Sequence, residues 1–308
     1  MIWAAVLAIG ASAPAGAVPP SPSLSSPSPP PSASAAVEVL EAPGAAMSLE
    51  AQVDVWIAEL AKDEAFASWR GATWRKAALG PGLHGWVVFV HGSAGEPVGY
   101  MIVGAKPEGG YALVEYGAGD VPLFSSGVLE RAMASEGLEG ARFTSNAIVE
   151  RLYYDAMHAF WKVSEGGVVR YADAATGAWL PVTENDAARL QPSISPGTNI
   201  SGKRLHIMKE PGDPYMSLAW LDAADAPVDS WPSFVAWLER SGGEAVYAGS
   251  AFGGAVLNPV GVAGYHWWPV ADGRETGAGL LQGYVALAQE GMTRYAPLEA
   301  LLATGSFR

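Results

Sequence analysis

The chain has 308 residues and no cysteine, and its 31 acidic and 18 basic residues give a formal charge of −13. This negative charge repels phosphate backbones, so nucleic acid is excluded as an expected partner. The lack of cysteine excludes disulfides, a thiol nucleophile, cysteine-ligated zinc and a lipid-modified cysteine anchor.

The first 45 residues have the pattern of an export segment. An apolar run over residues 2–13 leads into the small residues 15–17, which is typical of a signal peptide. Because no Lys or Arg precedes the run, an N-terminal anchor over residues 1–17 stays open as the alternative. Residues 18–45 are rich in Pro and Ser and predict a disordered linker. A secreted or cell-envelope protein of the Gram-positive type is therefore expected, with membrane contact only through an uncleaved N-terminal segment.

Residues 46–185 predict a first α+β unit. Apolar residues at helical spacing indicate a helix from Ser48 to about Trp69, with Ser48 as its N-cap. A second, shorter helix is indicated over residues 126–136. Strands separated by glycine-containing turns, as in an antiparallel meander, are predicted over residues 86–91, 98–103, 111–116, 148–154 and within 158–181.

Residues 185–200 contain two prolines and little periodicity, which marks a candidate boundary. Residues 200–308 predict a second α+β unit of unknown type. It contains an amphipathic helix after Trp231, strands over residues 262–268, 283–288 and 292–296, and a terminal helix after Pro297. The predicted fold is thus α+β, with mostly antiparallel sheets, a few packed helices and two small units.

The sequence contains no complete catalytic motif. Residues 86–92 end in His91-Gly92 and are similar to the strand and oxyanion turn of an α/β-hydrolase. That fold also requires a G-x-S-x-G elbow. In residues 249–253, Ser250 stands one place out of register, so the hydrolase interpretation is rejected and no catalytic residue is predicted.

The five histidines form no metal-binding motif, and neither a metal site nor a cofactor is predicted. His266 is the preferred ligand-binding candidate, because Gly261 and Gly264 would allow close backbone approach to a ligand, although packing in the core is the role favoured for it. His158 follows Asp155 at a spacing that would orient its imidazole. A weak calcium site at three acidic residues is a further hypothesis, against a solvated loop in which the last of them caps a helix. These are Asp222, Asp225 and Asp229.

Tryptophan offers a second kind of binding site. Most of the 12 tryptophans fall in predicted helices and strands and are expected in the core. Trp179, Trp267 and Trp268 lie where exposure is expected, and an exposed aromatic platform stacks on sugar rings. They are candidate ligand-binding residues together with His266.

One segment resembles a known family. Residues 158–163 (HAFWKV), followed by residues 169–174 and by Thr176-Gly177, resemble the PepSY pattern, in which a W-x-V strand pairs with a Y-x-x-D-A-x-T-G strand and turn. The resemblance extends at most over residues 86–181. It implies a helix-and-sheet domain that binds or restrains extracellular proteases, without catalytic residues to carry over. No recognisable peptidase follows it in this chain.

The sequence therefore favours an exported, non-enzymatic protein that binds or regulates an extracellular protein such as a peptidase. The alternative is a cell-wall glycan-binding protein that uses Trp179, Trp267 and Trp268. The second alternative is a cryptic hydrolase built around His266.

Overall fold

The computed structural model describes residues 47–80, 82–135, 147–192, 194–270, 280–289 and 291–308. The predicted export segment and linker lie outside these residues, as does the last residue of the second predicted helix. Within them, antiparallel sheets and a few helices confirm the α+β class. Among the described residues, no helix combines the length and apolar character that a membrane span needs.

The helices are short. Their bounds are α1 Leu49–Leu60, α2 Ser126–Ser135, α3 Glu184–Ala187, α4 Ala219–Asp222, α5 Trp231–Arg240 and α6 Leu298–Thr304, with 3₁₀ turns at Glu64–Trp69 and Phe252–Gly254. Ser48 caps α1 as predicted, because its side chain accepts a hydrogen bond from the backbone N–H of Ala51. The single helix predicted to reach Trp69 is wrong beyond Leu60. There Asp63 adopts an extended conformation and caps the separate 3₁₀ turn through the N–H of Ala65.

The strands account for most of the regular structure. Their bounds are β1 Thr73–Ala78, β2 Gly85–His91, β3 Pro97–Ala105, β4 Tyr111–Gly119, β5 Ile148–Asp155, β6 His158–Glu165, β7 Val168–Asp173, β8 Asn199–Ser201, β9 Leu205–Met208, β10 Val246–Ala251, β11 Val256–Trp268, β12 Leu280–Gln289, β13 Met292–Ala296 and β14 Gly305–Phe307.

A large antiparallel sheet crosses the predicted boundary between the two units. Its strand order is β1-β2-β3-β4-β13-β12-β11-β10-β14, with β8 also paired to β12 and β9 to β11. Strand β4 from the first predicted unit pairs with β13 from the second, in a register that places Tyr116 opposite Tyr295. The described residues between 47 and 308 accordingly form one compact unit, and the large sheet contains strands from both sides of residues 185–200.

The smaller sheet contains residues 148–173. Strands β5, β6 and β7 pair in sequence order, and Trp161 lies opposite Ala172. After β7, the carboxylate of Asp173 accepts hydrogen bonds from the backbone N–H groups of Ala175 and Thr176, which closes the predicted turn. The strand-strand-turn arrangement predicted for residues 158–177 is therefore present.

Successive side chains along the strands of the large sheet point to opposite faces, and each face contributes to a separate apolar core. Val88 and Met101 face α1 and the following 3₁₀ turn. Phe89 and Ile102 face the opposite side, where the smaller sheet and α2 pack. A third apolar cluster lies under α5 and α6 at the other end of the large sheet. The period-2 pattern thus buries both faces of β2 and β3.

Candidate functional site

Two histidines are brought together by strand pairing. His206 in β9 is the register partner of His266 in β11. Their ring centroids are 4.3 Å apart, and the planes differ by 20°. Gly264 makes this pairing fit, because its φ is +146° and a Cβ there would lie 1.9 Å from the carbonyl oxygen of Ile207. The close approach expected at Gly264 is therefore to strand β9.

Asp63 brings a carboxylate to the same pair of rings. Its Oδ1 accepts the N–H of Ala65 at 2.9 Å, which fixes the side chain as the cap of the 3₁₀ turn. The same oxygen lies 3.1 Å from Nδ1 of His206, and Oδ2 lies 3.8 Å from Nε2 of His266. The three side chains Asp63, His206 and His266, named here the Asp-His-His cluster, have ligand atoms within 4.8 Å of one another.

The second ring nitrogen of each histidine lies next to a tyrosine hydroxyl. The hydroxyl of Tyr116 lies 2.9 Å from Nδ1 of His266, and that of Tyr295 lies 3.0 Å from Nε2 of His206. The two tyrosine rings stack with centroids 4.7 Å apart and planes 4° apart. Each histidine therefore has one nitrogen beside a tyrosine and the other beside Asp63.

The environment sets the charges of this cluster. Burial lowers the pKa of His266 well below its usual value, and the neighbouring His206 lowers it further, so His266 is neutral near pH 7. Burial alone would raise the pKa of Asp63. Hydrogen bonds from Ala65 and His206 outweigh this effect and place its pKa below the usual value, so the carboxylate is ionised. A carboxylate and a neutral imidazole together provide the oxygen and nitrogen ligand atoms that suit a divalent transition metal.

The three tryptophans singled out in the sequence do not share a surface. Trp268 is fully buried and donates its Nε1–H to the hydroxyl of Tyr116 at 3.0 Å. Trp267, its neighbour, points to the other face of β11 and packs against Trp231. Trp179 is half-buried and donates to the carbonyl oxygen of Ala132 at 2.9 Å. A single stacking platform made of Trp179, Trp267 and Trp268 is therefore not formed.

His266 itself is 1% exposed. Its neighbours are Tyr116, Asp63 and stacked aromatic rings. The geometry of the described residues therefore gives an external substrate no direct access to this imidazole and lends the hydrolase alternative no support.

Asp155 orients His158, as their spacing suggested. Oδ2 of Asp155 lies 2.8 Å from Nδ1 of His158. Nε2 of His158 accepts the backbone N–H of Phe252 at 3.0 Å. Nε2 of His158 is therefore already hydrogen-bonded and is not available as a free base. The bond connects the smaller sheet to the end of β10.

Two of the three acids in the calcium hypothesis bind groups of the chain itself. Asp225 accepts hydrogen bonds from Ser306 and Arg308. Asp229 accepts hydrogen bonds from Ser230 and Ser233 at the start of α5. The N-cap of α5 is Ser230, so Asp229 supports the cap through the two serine hydroxyls and is not itself the capping residue.

Sequence reasoning missed an exposed apolar segment at residues 213–222, named here the 213–222 segment. Four large apolar side chains project from it into solvent: Tyr215 (73% exposed), Met216 (84%), Leu218 (59%) and Leu221 (48%). The signal in the sequence was the run Pro214 to Leu221, in which apolar residues follow neither a helical nor a strand period. A segment without a consistent apolar face cannot bury all of its apolar side chains at once, so exposure of some of them could have been expected.

Hydrogen bonds hold the backbone of this segment. Oδ1 of Asp213 accepts the N–H of Tyr215 at 2.8 Å. Trp220 donates its Nε1–H to the carbonyl oxygen of Pro214 at 2.8 Å, which closes the segment on itself. Beside it lies a cleft of about 500 Å³ lined by residues that include Pro211, Tyr215, Asn258 and Gln289. The 213–222 segment is thus ordered while its apolar side chains remain exposed.

Comparisons with protein-family models, curated proteins and solved structures give no match.

Proposed function

We propose that this chain is an exported, non-enzymatic protein that binds another extracellular protein through the 213–222 segment. The observation that carries the proposal is the exposure of Tyr215, Met216, Leu218 and Leu221 on a backbone that hydrogen bonds hold in place. Contiguous exposed apolar side chains are characteristic of protein-binding surfaces.

The chemistry of the segment fits such a surface. Tyrosine and methionine are enriched at protein interfaces, where they become buried on association. The capping of the backbone by Asp213 and the Trp220 hydrogen bond reduce the conformational entropy that binding would otherwise cost. The 213–222 segment is therefore suited to association with a partner at little ordering cost.

Charge indicates the character of the partner. The chain carries a formal charge of −13, and Asp213 and Asp222 stand at the two ends of the exposed segment. Complementary charge accelerates encounter and favours specific partners. We therefore expect a partner surface that is apolar at its centre and basic at its rim. The PepSY resemblance of residues 158–177 makes a secreted peptidase the first partner to test.

The test compares two surfaces on the same full chain. Met216→Asp with Leu218→Asp changes the 213–222 segment, whereas Ile148→Asp with Val168→Asp changes apolar residues of the smaller sheet that are also more than half exposed. Affinity for a basic secreted peptidase from the producing organism would be measured by surface plasmon resonance. The proposal expects a loss of at least about 10-fold for the first pair only, which corresponds to the removal of interface hot spots. Loss for the second pair only would assign binding to the PepSY-like sheet and overturn the assignment to the segment.

Glycan binding remains a second candidate at a different place from the one that the sequence suggested. The exposed ring of Tyr215 borders the 500 Å³ cleft, and Asn258 and Gln289 supply amide groups to its wall. An aromatic ring next to polar side chains is suited to a sugar ring. Sedimentation with purified peptidoglycan tests this candidate: retention of the chain that is lost in Tyr215→Ala supports it, and retention unaffected by that change counts against it.

A further inference from the structure

The Asp-His-His cluster contains a buried nitrogen without a partner. Nε2 of His266 is inaccessible to solvent and forms no hydrogen bond. Its nearest carboxylate oxygen, Oδ2 of Asp63, is 3.8 Å away, which is beyond hydrogen-bonding distance. Buried polar atoms are nearly always paired because an unpaired one is destabilising. The orphaned nitrogen therefore points to a missing group between His266 and Asp63.

A metal ion fits the separations of the donor atoms. Ligand atoms that lie about 2.0–2.1 Å from one tetrahedral Zn²⁺ are about 3.3 Å from each other. Oδ1 of Asp63 lies 3.1 Å from Nδ1 of His206, and Oδ2 lies 3.8 Å from Nε2 of His266, so the distances made by the two carboxylate oxygens fall on either side of that value. Small side-chain rotations would equalise them.

The hydroxyl groups that contact the remote ring nitrogen of each histidine also match the surroundings of a metal site. A histidine that ligates a metal usually donates its other N–H to a fixed acceptor, which sets the tautomer. Tyr116 stands at that position for His266, and Tyr295 stands there for His206. With both remote nitrogens protonated, Nε2 of His266 and Nδ1 of His206 would have lone pairs for an ion, and the proton through which His206 otherwise bonds Asp63 would be released on binding.

The local backbone fixes all three donors before any ion binds. Asp63 is held as the cap of the 3₁₀ turn, and the two histidines face each other across β9 and β11. Arg204, the cation that influences His266, is ion-paired with Glu59 and its charge is offset. Asp63 supplies the carboxylate of the donor set, which suits a divalent cation.

We propose that Asp63, His206 and His266 bind one divalent transition-metal ion, with Zn²⁺ as the expected ion. Two imidazole nitrogens and one carboxylate are a borderline-soft set that favours Zn²⁺ over Ca²⁺ or Mg²⁺, which prefer six or more oxygen ligands or retained water. Asp63 is the most exposed of the three donors, with 17% of its side chain accessible, so a water molecule could reach the fourth position from that side. The ion fixes the 3₁₀ turn after α1 against strands β9 and β11.

Titration of the untagged full chain, first stripped with chelator, tests the proposal. Isothermal calorimetry with Zn²⁺ is expected to give one site per chain, and Co²⁺ is expected to give the visible absorption of a four-coordinate ion. Asp63→Asn keeps an acceptor for the N–H of Ala65 but removes the charge, and His266→Gln removes the orphaned nitrogen. Each should lower the Zn²⁺ affinity on the order of 100-fold or more, and Tyr116→Phe by about 10-fold.

His84→Asn is the matched control, because His84 is exposed, lies outside the cluster and has a positive φ that Asn tolerates. It should bind Zn²⁺ as the unchanged chain does. Absence of stoichiometric binding, or equal affinity in Asp63→Asn and His266→Gln, would overturn the proposal and leave a hydrogen-bonded core cluster. If those variants fail to fold, X-ray absorption of the zinc-loaded unchanged chain decides: scattering from two imidazoles supports the site, and its absence excludes it.

Discussion

Arg294 binds Glu115 through two nitrogen atoms in the interior of the protein. Nε of Arg294 lies 2.9 Å from Oε1, and an Nη atom lies 3.1 Å from Oε2. The hydroxyls of Tyr100 and Tyr153 also donate to this carboxylate, and the arginine donates to the carbonyl oxygen of Ala156. One ion pair thereby joins β3, β4, β5 and β13, and with them the two halves that the sequence had separated.

Removing one member of this pair should strongly destabilise the protein. Arg294→Met leaves the Glu115 carboxylate buried without its cation, which costs about 3–5 kcal/mol in comparable cases. Urea unfolding, followed by tryptophan fluorescence, measures the free energy of unfolding. Glu108→Gln, in the exposed turn after β3, is the control and should change it by less than about 0.5 kcal/mol. Equal stability of both variants would contradict the role of the pair.

The link between His158 and Phe252 predicts a local effect. His158→Ala leaves the backbone N–H of Phe252 without its acceptor and removes the imidazole that contacts Asp155. We expect a loss of about 1–3 kcal/mol in the free energy of unfolding. Hydrogen exchange should accelerate at the Phe252 amide before it does so in β11. Unchanged exchange at that amide would show that the bond does not hold the two sheets together.

Buried tyrosines predict alkaline sensitivity. Burial, together with the charge of Glu184, raises the pKa of Tyr171 to about 12, and burial also raises the pKa of Tyr100 and Tyr116 well above the usual value. The unfolded chain, with tyrosine pKa values near 10, loses these protons first as the pH rises. The contribution of these tyrosines to stability should therefore be complete below pH about 10 and be lost as the pH rises from about 10 through about 12 and beyond.

Urea unfolding at pH about 8 and about 11, with tyrosinate absorbance recorded in parallel, checks this dependence. The expected result is lower stability at the higher pH, with tyrosinate appearing as the chain unfolds. Full ionisation of the tyrosines in a chain that remains folded would contradict it.

Gly264 should be required for the His206–His266 contact. In Gly264→Ala the new Cβ would collide with the carbonyl oxygen of Ile207, and the positive φ would be strained. Since the strand must shift, we expect a loss of more than about 2 kcal/mol in stability and weaker Zn²⁺ binding. In Gly127→Ala, in α2, the new Cβ would meet no atom closer than 3.7 Å, so the change should be neutral or slightly stabilising. Comparable thermal unfolding of the two variants would contradict the constraint at Gly264.

Local patterns predicted the local structure. The cap at Ser48, the meander over β2, β3 and β4 and the turn at Asp173 follow from side-chain periodicity and turn residues, which act over a few positions. Strand β1 was missed because its residues are mostly exposed and carry no alternating apolar pattern. Strand β9 is only four residues long, too short to show a period.

Long-range juxtapositions were not predictable in this way. Asp63, His206 and His266 are far apart in the chain and match no metal-ligand spacing, so only strand pairing brings them together. His266 was singled out for its neighbouring glycines, yet the close approach that they permit is to the backbone of the chain itself, at Gly212 and Ile207. The pairing of β4 with β13 was not predicted either, because the two strands are far apart in the sequence.

Anomalous X-ray diffraction at the zinc absorption edge, from crystals of the full chain grown with equimolar Zn²⁺, tests the metal site most directly. The expected result is one anomalous peak bounded by Oδ2 of Asp63, Nδ1 of His206 and Nε2 of His266. A map without a peak at that position, or with zinc only at surface histidines such as His84, would contradict the site.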